Sequence, residues 1–105
     1  MKKNCPLDVI LFPIRGKWKA EIIDSLKDGP RRLSEIEHDL PDAIHRVVTR
    51  QLRSLEKDGI VQREIYRELP PRVEYSLTEQ GKFLCSLLYT INQAAEEFLQ
   101  KSKKG

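Results

Sequence analysis

The residues of this sequence best suited to chemistry form a row of cations rather than a catalytic set. In "DAIHRVVTRQLRSLEKDG", Arg46, Arg50, Arg53 and Lys57 recur at i, i+4, i+7 and i+11. At about 100° per residue this spacing places all four on one helix face, almost opposite Ile44, Val48, Leu52 and Leu55, with Val47 at the edge. Many helices carry a merely solvated charged face, but such faces mix signs so that i,i+4 pairs support the helix. Here the nearest acid after Asp42 is Glu56, off to one side. A stripe of one sign repels itself and suits a polyanion. His45, Arg46, Thr49 and Arg50 fall in the half of the helix that would meet base edges in a major groove, where arginine can bond guanine O6 and N7. Arg53 and Lys57 fall where phosphate would be met.

Other chemistries find little support. The sequence has no Gly-rich phosphate loop and no nucleophile elbow, so an enzyme is not expected. No CxxC or HxxxH spacing offers a metal cage, and neither a metal nor a cofactor is expected. Cys5 and Cys85 are too few and too far apart for a secreted disulfide framework and read as free thiols. The basic, partly apolar start is broken by Asp8, Pro13 and Arg15, and no run reaches membrane-spanning length, so a cytoplasmic protein without a membrane partner is expected. The 105 residues suit one domain spanning 1–105, and the net charge of +3 is too small to name a partner by itself.

The elements that must hold the cationic row are punctuated clearly. "KWKAEIIDSL" places Trp18, Ile22 and Leu26 on one helical face, and "KDGP" stops that helix through Gly29 and Pro30. Ser34 with Glu37 matches a capping box for a short second helix, which Pro41 limits to about two turns. The cationic helix follows at once, from about Asp42 to Asp58, closed by Gly59. Two helices joined this tightly predict a helix-turn-helix. Strand formers in "IVQREIYR" and the alternation of "VEYSL" predict a hairpin over about 60–77, with "LPPR" at its tip. Thr78 caps a last helix over about 78–101, whose Leu84, Leu87, Leu88, Ile91, Ala95 and Phe98 keep a helical period.

The fold expected is mainly α: a winged helix-turn-helix with a two-stranded wing and a C-terminal helix that dimerises. The apolar stripe of that helix is more than so small a chain can cover alone, which points to a homodimer, although packing against the chain's own N-terminal element is an alternative. Arg31, Arg32 and Ser34, at the start of the short helix, are placed to meet phosphate. Arg67 and Arg72 flank the wing tip, where they could grip a groove or simply keep an edge soluble. Double-stranded DNA is the partner expected. The competing reading, a winged helix that docks proteins only, would call for an apolar or mixed exposed face in place of the cationic row.

The sequence resembles the HxlR-type winged-helix transcription regulators of bacteria and archaea. The matching residues are "CP" at Cys5, "GKW" at Gly16, "DGP" at Asp28, "TRQLRSLEKDGIV" from Thr49 and "PPRVEYSLTEQG" from Pro70. The resemblance implies a dimeric DNA-binding regulator that pairs through its terminal helices. It also implies a candidate redox or electrophile sensor at Cys5, whose thiolate Lys2 and Lys3 would favour. Two positions depart from the family pattern. Ile44 stands where a serine commonly begins the recognition helix, leaving Asp42 as the expected cap, and Arg15 replaces a glycine before "KW".

Overall fold

The computed structural model describes residues 6–104. Five helices and one hairpin follow in order: α1 (Pro6–Leu11), a 3-10 turn at Phe12–Ile14, α2 (Lys19–Ser25), α3 (Leu33–Asp39), α4 (His45–Lys57), β1 (Val61–Tyr66), β2 (Arg72–Leu77) and α5 (Glu79–Lys104). This is the winged helix-turn-helix that the punctuation implies. One hydrophobic core takes Ile22 and Ile23 from α2 and Leu26 just after it, Ile36 from α3 and Val48, Leu52 and Leu55 from α4. Val61, Leu77 and Leu84 close it from the wing base and α5. Truncating any of these leucines to alanine removes buried methyl groups and leaves a cavity, at a cost of about 2–5 kcal/mol.

Turn chemistry sets where the elements meet. Gly59 takes φ 77° after α4, a left-handed conformation that costs glycine nothing, and turns the chain directly into β1. The strands pair antiparallel from Val61 opposite Leu77 to Tyr66 opposite Arg72. Thr78 caps α5 as expected: the Gly81 N–H donates to its Oγ1 at 3.0 Å, and its hydroxyl donates to the Gly59 carbonyl at 2.6 Å. One side chain thus joins the end of α4 to the start of α5. Gly81 packs so tightly there that a Cβ would stand 2.1 Å from the Ile60 carbonyl oxygen.

Three local expectations are corrected. The start of α3 does not use Ser34 and Glu37: the helix begins at Leu33 after Arg32, and Glu35 Oε1 accepts the Arg32 N–H at 2.8 Å. Because an arginine side chain has no acceptor, this is half a capping box. Asp42 does not cap α4, since the residue before its first turn is Ile44, in extended geometry and with no side-chain cap bond. Nor does Ile44 join the core. It is 64% exposed, because it stands outside the helix whose periodicity would have turned it inward.

The helix α5 has two unlike halves. Leu84 is buried at 5% and Leu88 packs against the core, whereas Ile91, Phe98 and Leu99, on the same stripe, are exposed, Phe98 by 68%. The radius of gyration is 15.7 Å and the extents are 58 × 41 × 23 Å. A compact chain near 100 residues has a radius of roughly 13 Å. The bare end of α5 lies where a compact chain of this size would have no helix.

Candidate nucleic-acid interface

The helix α4 presents its cations as its spacing requires. Val48, Leu52 and Leu55 are buried, which turns Arg46, Arg50, Arg53 and Lys57 to the solvent, where all four are exposed. Among the described residues none of the four has an ion-pair partner. Two acids near α4 are engaged at its flanks: Glu56 with Arg63 of β1 at 3.5 Å, and Glu37 of α3 with His45 Nδ1 at 2.5 Å. Thr49, half-buried, donates its hydroxyl back to the Arg46 carbonyl at 3.0 Å. His45 and Thr49 therefore lie beside the row with bonds of their own, while the row itself is free.

The remaining candidates divide sharply. Arg32 and Ser34 are exposed in the first turn of α3, and Arg67 is exposed at the wing. Arg31 is engaged within the fold. Its backbone pairs with Tyr75 through N–H···O bonds of 2.9 and 2.8 Å, extending the hairpin by one bridge. Its guanidinium donates to the carbonyls of Ser25 and Glu35 at 3.2 Å each and lies 3.1 Å from Asp39 Oδ2. Arg72 is held likewise, 3.3 Å from Glu68, 3.5 Å from Glu74 and 4.2 Å above the Tyr66 ring. Its Nε is buried and lacks an aligned hydrogen bond. The wing as a whole carries Arg63, Arg67 and Arg72 against Glu64, Glu68 and Glu74, so its charges cancel.

Between α2 and α5, beside the end of α3, lies an open groove of about 600 Å³. Ile23, Leu40, Leu88, Ile91 and Ala95 give it an apolar floor, and Glu21, Asp24 and Asp39 an acidic rim. Of the six residues expected to dimerise, Leu84 faces the chain's own core, and Leu87 and Leu88 are half-buried. Ile91, Ala95 and Phe98 are exposed. Cys85 also lines the groove, where burial first and Asp24 next push its thiol above the usual value, partly opposed by Lys27. A shift in that direction disfavours the thiolate, the reactive form of a cysteine. Cys5 lies outside the described residues. Among those residues no helix is long and apolar enough to cross a membrane, and no acid, histidine or cysteine cluster could hold a metal ion.

Solved structures share this fold. An HTH-type transcriptional regulator of Methanothermobacter thermautotrophicus is 48% identical over 84 residues, covering 80% of this chain and 64% of that protein. The chain thus spans just under two thirds of that relative's length. A solved structure from Enterococcus faecalis V583, ascribed to MarR-family regulators, superposes over 100% of this chain and 96% of its own, with TM-score 0.87 and 40% identity. The redox regulator HypR in its reduced form superposes over 96% and 100% of the two chains, with TM-score 0.86 and 38% identity; its oxidised form gives 0.80. The HxlR-like helix-turn-helix family pattern matches residues 13–103, taking in the helix pair, the wing and nearly all of α5, and the chain belongs to that family of transcriptional regulators.

Proposed function

We propose that the protein binds specific double-stranded DNA as a homodimer, with α4 in the major groove. The observation that carries this reading is the row Arg46, Arg50, Arg53 and Lys57, exposed on one face and without ion-pair partners among the described residues. Arg46 and Arg50 read base edges, and Arg53 and Lys57 meet phosphate. Arg32, Ser34 and Arg67 supply further backbone contacts, and His45 and Thr49 stand at the edge of the base-reading half. Arg31 and Arg72 serve mainly to brace α3 and the wing. The groove between α2 and α5, with Leu87, Leu88, Ile91, Ala95 and Phe98, receives a second copy, and the two α4 helices then address half-sites about one helical turn apart, ~34 Å.

Footprinting on DNA selected from random sequence tests this reading. An inverted repeat protected by two protomers is expected, and protection of a single asymmetric half-site at saturating protein would overturn it. Ending the chain after Asn92 is expected to give monomers or insoluble protein; a soluble, unchanged dimer would refute the pairing. Likeness to HypR, solved in oxidised and reduced forms, supports Cys5 as the entry point of an oxidant signal. Under mild oxidant, wild type and the C5S variant are expected to differ in operator affinity, and equal affinities would place the signal elsewhere.

A further inference from the structure

Lys19 is a lysine that the fold hides. It is only 6% exposed, and its Nζ donates to Ser54 Oγ of α4 at 2.8 Å. No carboxylate among the described residues lies within ion-pair distance of it. Buried ammonium groups are normally paired, because taking a charge out of water is costly unless an opposite charge compensates. A fold that needed only a brace between α2 and α4 could have used a neutral side chain here.

The chain around Lys19 is shaped to hold it there. Gly16 has φ 146°, and a Cβ at that position would stand 3.2 Å from Lys19 Cδ and Cε, so the lysine stem lies against bare backbone. Trp18, the residue before α2, takes φ 77°, a left-handed conformation unfavourable for a bulky side chain. Gln51 of α4 donates to the Lys17 carbonyl at 3.0 Å, and Lys17 itself is exposed, its Nζ 5.8 Å from the Trp18 ring centroid. By the ~100° advance per residue, Gln51 and Ser54 lie on the flank of α4 opposite Glu56, which pairs with the wing. A helix lying in a major groove has a phosphate backbone on each flank. One flank of α4 carries the wing, and the other carries Lys17, Lys19, Gln51 and Ser54.

Resting on the DNA-binding reading above, we propose that this second flank is a backbone-phosphate site in which the buried Lys19 ammonium, oriented by Ser54, provides the charge and Lys17 the exposed partner. The charge is uncompensated in the free protein and compensated by phosphate in the complex. Lys19 then serves binding at the expense of the fold, and the two effects separate on substitution.

The test compares wild type with K19M and S54A, measuring thermal stability and the salt dependence of binding to selected and random duplex DNA. K19M is expected to fold with unchanged or raised stability, to lose affinity for both DNAs alike, and to lower the slope of log K against log salt by about 0.9, the value of one phosphate contact. S54A keeps the charge and is expected to keep the slope. A K19M protein that is destabilised or unfolded, or one whose salt slope equals that of wild type, would overturn the proposal and leave Lys19 a structural brace. Wild type that binds neither DNA would instead refute the DNA-binding reading, whatever K19M does.

Discussion

The cationic helix and the wing hold similar arginines that the fold treats in opposite ways. Four cations of α4 point away from the core with one acid in the same helix, and that acid is drawn aside by Arg63. On the wing three arginines are balanced in number by three glutamates, and Arg72 is enclosed by Glu68, Glu74 and the Tyr66 ring. A cation already paired brings little to a phosphate, since each new contact must first break an old one. In the proposed reading α4 is thus charged for binding, while Arg63 and Arg72 of the wing are spent on contacts within the fold. On the wing, of the three, only Arg67 is left without an ion pair among the described residues.

The contrast can be broken most directly at Arg46 and Arg50. Each alanine substitution is expected to weaken operator binding by about 1–3 kcal/mol and to relax base preference, read by competition between selected and random DNA. Equal losses on both DNAs would mean that these arginines do no more than Lys57. Lys57→Ala is the next largest, weakening every sequence alike and lowering the salt slope by about 1.

Arg72→Ala sharpens the comparison from the other side. It removes two ion pairs and a cation–π contact, so unfolding by urea is expected to come about 1 kcal/mol easier, with the salt slope of binding unchanged. A lowered slope would return Arg72 to the DNA contacts. The smallest effect is a matter of pH. Desolvation of the half-buried ring and then Glu64 and Glu74 raise the Tyr66 phenol above its ordinary 10.0, partly opposed by Arg72. A raised phenol favours the neutral form in the fold, so the stability it contributes is complete below pH 10 and is lost as pH climbs through the folded value. Following the phenol by ultraviolet absorbance, Arg72→Ala is expected to push its ionisation higher still.

The parts of the fold that were legible in the sequence are those governed by local rules. Gly59, Thr78 and the i, i+4 spacing act within a few residues of themselves, and they determine the end of α4, the start of α5 and the shared exposed face of the four cations. Position in three dimensions was not legible. Ser34 with Glu37 satisfied the cap pattern, yet Glu35 was nearer the true start and Glu37 reached across the turn to His45. Ile44 fitted the apolar period but lay one residue outside the helix that would have used it. Leu84 and Phe98 are alike in the sequence, and only the length of α5 relative to the core separates them. Arg31 and Arg72 looked as available as Arg50 because pairing partners such as Asp39 and Glu68 are found by the fold, not by spacing. Lys19 gave no signal beyond an ordinary amphipathic helix.

The close seat of Gly81 on the Ile60 carbonyl has a mechanical consequence. Together with Thr78, which ties α5 to the end of α4, it makes a close joint where the long helix meets the wing and α4. At 1.5 Å per residue α5 is a rod of about 39 Å, fixed at one end and bare at the other. A rod fixed in this way has the geometry of a lever: in the proposed dimer, a tilt of a few degrees imposed at its free end would be passed to the head that carries α4 and the hairpin. In the proposed dimer, the angle between two such rods would set the spacing of the two reading helices.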